Sequence, residues 1–355
     1  MLVSTLIPTL NEEPFIEKCL LSVIQQRLQH DVHLEILVID GGSKDRTVQI
    51  VQEMSIAHDN IRLMSNAAKY QSYALNIGIK SSNGEIVIRL DAHSIYPDNY
   101  ISALLESQKT SKADNVGGLF VSCPRDGSYG ASLVQALTTH WFGVGDALYR
   151  LNADAGYVDT VPFGCFKREL FDKIGYFDER LNRNQDYEFN RRIKKAGGRI
   201  WLNPAICVYY YNQASLVKLL KKQFLWEGPY NTYMWYLAPY TFAFRHTVTG
   251  LFSSCVIVGA VFAELFYPVR IICYSLGGLY VLLSLVASFQ QSLRYRNVRH
   301  ILFLPVSFFL FHFVHGLGIL KGLLLLLFRR APVQKVKEPW RGYGKYRISV
   351  ETNLR

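Results

Sequence analysis

Three carboxylates and one imidazole stand where the sequence could bring reactive groups together. Asp40 closes the apolar run LEILVID and is followed by Gly41-Gly42-Ser43. Asp91 and His93 follow IVIRL and flank Ala92, and Asp186 opens the stretch QDYEFNRRIKKAGG. A carboxylate at a strand end can accept hydrogen bonds from a ring N–H or a ribose hydroxyl, and glycines leave room for close approach. It can equally brace its own turn or cap the helix starting near Asp45. Asp91 and His93, two residues apart on an extended segment, can converge as a clamp for a divalent ion that also holds a diphosphate. Asp186 and Glu188 lie at a predicted helix start, where anions gain from the macrodipole. A carboxylate there can also take the proton from an attacking hydroxyl, and the local pattern does not separate capping from base catalysis. Lys69, in NAAKYQSYALN, is available to a nucleotide or a diphosphate.

These groups need elements that carry them to one edge. Compact apolar runs at 3–7, 34–39, 61–64 and 85–90 read as strands buried on both faces. Helical stretches alternate with them. The first is expected after Asn11 as N-cap, with Glu12, Glu13 and Pro14 in its first turn. The second starts near Asp45-Arg46-Thr47, and the third starts near Lys69 and runs to the turn at Asn83-Gly84. This β-α order predicts an open, mostly parallel sheet with helices on both faces, and ligands in such sheets sit beyond the strand C-termini. Further strands are expected at 115–122 and 199–202, with a helix over 187–195 ending at Gly197-Gly198.

The chain has 355 residues and a net charge of +11, all of it from the last third. Residues 1–239 hold 25 basic and 25 acidic side chains, and residues 240–355 hold 14 and 3. The basic excess coincides with the longest apolar runs, so it belongs to a membrane-associated segment and argues against a nucleic-acid groove. The six cysteines form no C-x-x-C pair and no zinc spacing, as expected of free thiols in a reducing compartment. Residues 247–266 and 271–289 match the ~20 residues of a bilayer span, and 301–328 is longer. With residues 1–239 cytosolic, the first span exits, the second returns, and Arg294, Arg296 and Arg299 fall on the inner side. The third stretch carries Pro305, His312, His315, three glycines and Lys321, so it is expected to be broken or re-entrant, with the basic tail 329–355 on the cytosolic surface. Residues 215–245, rich in Lys, Trp and Tyr, have the composition of an interfacial amphipathic segment.

The ordered blocks LIPTLNEEPFIEKCLLSV, LVIDGGSKDRT, LNIGIKSSNGEIVIRLDAHS, FGCFKRELFDKIGYFDE and NQDYEFNRRIKKAGGRIW resemble inverting glycosyltransferases of family 2, especially exopolysaccharide enzymes of the succinoglycan-biosynthesis type. The resemblance covers about residues 1–230. It implies a GT-A fold, Rossmann-like, over residues 1–235, and the apolar runs place an α-helical membrane region after it, over 246–328. It also implies a nucleotide-diphospho-sugar donor, commonly UDP-linked. By position, Pro8, Thr9, Asn11 and Glu12 match the family's first donor loop, and Asp40 its nucleobase contact. Asp91-Ala92-His93 matches the D-x-D element that handles Mg²⁺ or Mn²⁺ and the diphosphate, and Asp186 matches the base. Lys69 joins the donor side.

Two departures stand out. His93 replaces the second carboxylate of D-x-D, and imidazole suits softer metals than Mg²⁺. Gln185 stands where an acid usually precedes the base, leaving Asp186 without a like-charged neighbour. The Q-x-x-R-W element of processive synthases is reduced to Gln223-Phe224-Leu225-Trp226, which favours one sugar per encounter. The expected reaction is transfer to a membrane-associated acceptor, a polyprenyl-diphosphate-linked saccharide, at the inner membrane. A nucleotidyltransferase would carry a glycine-rich phosphate loop after the first strand, and PTLNEE has no glycine. A non-catalytic sugar-nucleotide-binding protein is the alternative of another class.

Overall fold

Alternation of apolar side chains along the first strands sets the architecture. The computed structural model describes residues 1–334 apart from Asn152, so the expected tail is described only as far as Gln334 and the rest lies outside the described residues. In chain order the elements are β1 (Leu2–Thr9), α1 (Ile16–Ile24), β2 (His33–Asp40), α2 (Thr47–Ala57), β3 (Ile61–Ser65), α3 (Gln71–Ser81), β4 (Ile86–Arg89), β5 (Ser94–Ile95), α4 (Tyr100–Ser111) and β6 (Asn115–Cys123). There follow α5 (Tyr129–Thr138), α6 (Trp141–Val144), β7 (Gly156–Tyr157), β8 (Cys165–Lys167), α7 (Glu169–Ile174), α8 (Gln185–Lys195) and β9 (Ile200–Tyr211). The remaining helices are α9 (Leu216–Lys222), a π-helical turn Gln223–Glu227, α10 (Gly228–Leu237), α11 (Phe244–Phe262), α12 (Tyr267–Tyr295) and α13 (Arg299–Leu327).

The chain divides into two units. Among the described residues, the first comprises Met1–Val121, 153–210 and 332–334, and the second comprises Ser122–Leu151 and Tyr211–Ala331. In the first, Val3, Ile7, Ile36 and Val38 point into a core with Ile16, Cys19 and Leu20 of α1. The alternate residues Leu6 and Ile39 face Gly78 of α3, where a Cβ would press on both side chains. Helices thus cover both faces, as the period-2 pattern requires.

The sheet order is β3-β2-β1-β4-β8-β6-β9-β5, with β7 on β9. Strands β3, β2, β1 and β4 are parallel, whereas β8 pairs antiparallel with β4 and β6, and β9 antiparallel with β5 and β7. The sheet is therefore mixed: the β-α order read from the sequence holds for the parallel strands β3, β2, β1 and β4, and the later strands join antiparallel. The first helix also starts later than its sequence suggests. Asn11 sits in the left-handed region (φ 54°) and spends its Oδ1 on the backbone N–H of Lys44, leaving α1 to begin at Ile16.

In the second unit Leu133, Val134, Leu137, Leu219, Ala287, Leu304 and Phe308 form the core. Three of its helices, α11, α12 and α13, are long and apolar enough to cross a membrane. Their limits are shifted from the expected stretches. The third is not broken: α13 is one helix of 29 residues with Pro305 inside it. The glycines that suggested a break serve close approach instead. A Cβ on Gly316 would land on the Thr249 carbonyl oxygen and the Ser253 hydroxyl of α11, and one on Gly318 or Gly322 would meet Gly228 or Pro229 of α10. His315 is held between Thr249 Oγ1 (2.7 Å) and Asn231 Nδ2 (3.2 Å), and His312 meets the Tyr280 hydroxyl at 2.8 Å. Polar groups in the apolar stretch are thus satisfied by neighbouring helices. In the expected interfacial segment the aromatic residues divide: Tyr230 and Tyr233 are packed inside, whereas Phe224, Leu225, Trp226 and Tyr236 are exposed.

Candidate active site

The loops after β1, β2 and β3 form the first part of the site, and each contains a residue in the left-handed region: Asn11, Gly42 and Lys69. The backbone N–H of Asn11 donates to Ser43 Oγ (2.8 Å), and that of Glu12 to Thr47 Oγ1 (2.8 Å). Gly41 donates to the Thr9 carbonyl and Asn66 to the Asp40 carbonyl, so the three loops are stitched edge to edge. The Cα of Lys69 lies against Gly41, where a side chain would be crowded. Pro8 is half-buried at the end of β1, and the Thr9 hydroxyl is buried with no hydrogen-bond partner.

Asp40 is buried, and its carboxylate braces its own loop. Oδ2 accepts from the N–H groups of Gly42 (2.8 Å) and Ser43 (3.0 Å), and Oδ1 accepts from Ser43 Oγ (2.5 Å). Just ahead of α2, Asp45 Oδ1 accepts from both the N–H and the hydroxyl of Thr47, the first residue of the helix.

Beyond β4 the centre is Arg89. Its buried guanidinium places Nη2 3.4 Å from Asp91 Oδ1 and Nη1 3.4 Å from Asp186 Oδ2. Burial works against its charge, but the Asp91 and Asp186 carboxylates outweigh that and strengthen its hold on the proton. Phe163, itself left-handed at φ 63°, packs its ring 5.7 Å from the guanidinium carbon, and the next carbonyl, of Gly164, accepts from the Arg89 N–H. Gln71 completes the bridge: its Nε2 donates to Asp91 Oδ1 (3.1 Å) and its Oε1 accepts from Gln185 Nε2 (2.7 Å). Asp186 lies in the first turn of α8 with its side chain 39% exposed, Oδ1 accepting from the Tyr187 N–H. Glu188 is buried and gripped by Arg192 at 2.9 and 2.7 Å. Of the two acids at this helix start, Asp186 faces solvent and Glu188 is structural.

His93 meets Glu12 through Nδ1 at 3.0 Å and lies 5.3 Å from the Tyr210 ring, centroid to centroid. Burial alone would favour the neutral ring. The Glu12 hydrogen bond, with Tyr210 and the nearby carboxylates, outweighs burial and pushes the pKa up to about 9. Glu12 thereby ties the first loop to the Asp91–His93 segment. The Ala92 methyl is buried in the core, so only its backbone can face a donor.

A divalent cation fits this donor set in a restricted way. Asp91 directs only Oδ1 at Arg89 and Gln71, and His93 uses only Nδ1, which leaves Asp91 Oδ2 and His93 Nε2 for a metal. The Glu12–His93 pair has the chemistry of a carboxylate that orients a ligating imidazole. Among the described residues no group of three His, Cys, Asp or Glu side chains could hold a metal, so a cation here would complete its shell with diphosphate and water oxygens.

Sequence reading missed Arg89, Gln71 and Tyr210. The signal for Arg89 was present: an arginine inside the apolar strand IVIRL must be buried, and a buried arginine needs carboxylates around it.

Comparison with known proteins gives the kind of enzyme and the fold. Residues 4–175 match the family model described as Glycosyl transferase family 2. A dolichyl N-acetyl-alpha-D-glucosaminyl phosphate 3-beta-D-2,3-diacetamido-2,3-dideoxy-beta-D-glucuronosyltransferase of Methanococcus voltae is 26% identical over 338 residues, covering 91% of this chain and 97% of that protein. Succinoglycan biosynthesis protein ExoA of Rhizobium meliloti is 29% identical over 224 residues, covering 61% of this chain and 66% of that one. Among solved structures, mannosyltransferase PcManGT from Pyrobaculum calidifontis, in complex with GDP-Man and Mn²⁺, superposes with a TM-score of 0.58 at 18% identity, covering 90% of this chain and 86% of the other. The chain is a glycosyltransferase. Residues 4–175, just under half of it, match glycosyl transferase family 2, and the likeness to the mannosyltransferase shows the GT-A fold.

Proposed function

We propose that the chain transfers one sugar per encounter, with inversion, from a nucleotide-diphospho-sugar to a membrane-associated acceptor, a polyprenyl-diphosphate-linked saccharide. The observation that carries this reading is the Arg89 bridge, which puts a carboxylate suited to the donor diphosphate and a solvent-facing carboxylate suited to the acceptor on either side of one guanidinium. Asp186 accepts the proton of the acceptor hydroxyl as that oxygen attacks the anomeric carbon from the face opposite the leaving group. Arg89 fixes Asp186 and Asp91 relative to each other, so base and leaving group are oriented together. Pro8, Thr9, Asn11, Glu12, Asp40 and Lys69 line the nucleotide side, with Ala92 contributing backbone. A cation, Mg²⁺ or Mn²⁺, held by Asp91 and His93 would supply charge neutralisation on the departing nucleoside diphosphate.

A lipid-linked acceptor is supported by the apolar helices and by the Methanococcus voltae relative, which is named for a dolichyl-phosphate-linked substrate. The apolar helices support placement at the cell membrane, and the basic residues Arg294, Arg296 and Arg299 between α12 and α13 support a cytoplasmic first unit. One sugar per encounter is supported by the absence of arginine in Gln223-Phe224-Leu225-Trp226. The test is a panel of UDP- and GDP-sugars incubated with the purified full chain, Mn²⁺ or Mg²⁺, and a polyprenyl-diphosphate-linked saccharide. Acceptor-dependent release of nucleoside diphosphate supports the reading. Free diphosphate would mark a nucleotidyltransferase, and donor binding without any product would mark a binding protein.

A further inference from the structure

The chain leaves the first unit at Tyr211 and belongs to it again from Pro332. Val333 is buried there, and the carbonyl of Gln334 accepts from Arg180 Nη1 at 2.7 Å. Arg180 is in turn clamped by the fully buried carboxylate of Asp178, at 2.9 and 2.7 Å. The stretch that contains all three apolar helices therefore starts and finishes in one water-soluble body, which must stay on one side of a bilayer. A chain that departs from and returns to the same side crosses an even number of times. Among the described residues three helices are long enough to cross, so at least one of them does not.

We infer that the chain crosses the bilayer twice, through α11 and α12, and that α13 does not cross but lies along the side on which the first unit sits. Both ends of α13 are tethered to that side by short connections. Its last residue, Leu327, is seven residues from Gln334, a reach of at most about 25 Å, which is less than the ~30 Å hydrocarbon thickness. At its other end the α12–α13 junction is fastened to α5: Arg294 Nη1 donates to the Thr139 carbonyl (3.2 Å), the Tyr295 hydroxyl meets Thr139 Oγ1 (2.7 Å), and His300 Nε2 meets Ser132 Oγ (3.4 Å). Helix α5 starts only six residues after β6 ends at Cys123, a reach of about 21 Å. The second half of α5 is itself pinned to that strand, since Gln135 Nε2 donates to the Ser122 carbonyl at 2.5 Å.

The charge pattern agrees with this path. Arg294, Arg296 and Arg299 surround the junction assigned to the near side, and the far turn between α11 and α12 holds Glu264, paired with Arg270 at 3.6 Å. Helix α13 is unbroken, about 43 Å long at 1.5 Å per residue, and it presents Leu302, Phe303, Val306, Leu323, Leu324 and Leu327 outward. Those side chains lie in the acyl boundary of the near leaflet. The inference depends on the membrane reading and is independent of sugar transfer.

Single cysteines added at Ile56, Leu265, Val298 and Gln334 of the full chain, in sealed membrane vesicles, test it. Each variant is treated with a membrane-impermeant polyethylene glycol maleimide, and its gel shift is counted against the unsubstituted parent before and after detergent. Ile56→Cys reports the side of the first unit. The expected result is that Val298→Cys and Gln334→Cys react together with Ile56→Cys, whereas Leu265→Cys gains its shift only after detergent. Protection of Gln334→Cys in vesicles where Ile56→Cys reacts would overturn the inference, because an odd number of helices would then cross. Reaction at all four positions before detergent would remove the membrane crossing itself while leaving the transferase reading intact.

Discussion

Replacing Asp186 with Asn isolates the proposed base, because the substitution keeps shape and removes only charge and basicity. A positioned general base contributes about 10²- to 10⁴-fold in rate, equivalent to about 3–5 kcal/mol of barrier. The geometry bounds every competing effect. The Asp186 side chain is 39% exposed and touches one cation, Arg89, at 3.4 Å. A half-exposed pair of this kind contributes about 0.2–1 kcal/mol, and the Asn oxygen can still accept from the Tyr187 N–H that Oδ1 now engages. Asp186→Asn should therefore lower kcat by two to four orders of magnitude, change the donor Kd by less than about fivefold and leave thermal unfolding nearly unmoved. Nucleoside diphosphate release gives kcat, and titration calorimetry with the donor gives Kd. A donor Kd weakened more than tenfold with kcat retained would refute the assignment and move Asp186 to the donor side.

Arg89→Met should cost about 3–5 kcal/mol in denaturant unfolding of the full chain, because it leaves the nearly buried Asp91 without its partner. Arg89→Lys should recover much of that stability but little of kcat, since a point-like ammonium lacks the rigid fork that fixes the two carboxylates relative to each other, and an unchanged kcat in the Met variant would exclude the bridge from catalysis. His93 has its pKa raised from 6.5 to about 9, so its protonated form contributes stability fully below about pH 6.5, and that contribution is lost as pH rises through about 9. A cation must displace that proton, so Mn²⁺ affinity of the free enzyme should climb from pH 7 and level off above about 9. His93→Gln should flatten that profile, and calorimetric Mn²⁺ titrations across this range would check it. Gly316→Leu should lower the unfolding temperature in detergent by the equivalent of about 1–3 kcal/mol of overpacking, because its Cβ meets backbone of α11. Gly277→Leu, in open space on α12, should stay within about 0.5 kcal/mol.

The strands that carry the site were legible because their apolar runs are short, contiguous and ended by Asp40-Gly41-Gly42 and Asp91-Ala92-His93. Side-chain preferences decided what was misread. Asn11 is as good a helix cap as any residue, yet here its amide reaches Lys44 across the loop, a contact 33 positions away that no local pattern encodes. Asp40 looked equally suited to a nucleobase or to its own turn, and its oxygens are found on the turn. Arg89 carries no motif of its own, yet a cation within IVIRL is stable only where acids converge on it, as Asp91 and Asp186 do. The third apolar stretch misled for a different reason: glycine and histidine interrupt hydropathy whether they break a helix or let another helix press close, and only the neighbour's identity separates the two.

The self-bracing of the loop after β2 has a kinetic corollary. Because the Asp40 carboxylate already anchors two N–H groups and one hydroxyl, that segment is shaped before any nucleotide arrives. Little of the donor's intrinsic affinity is then lost to organising it. On the proposed donor assignment, recognition there is that of a rigid template, with fast capture and a small ordering entropy.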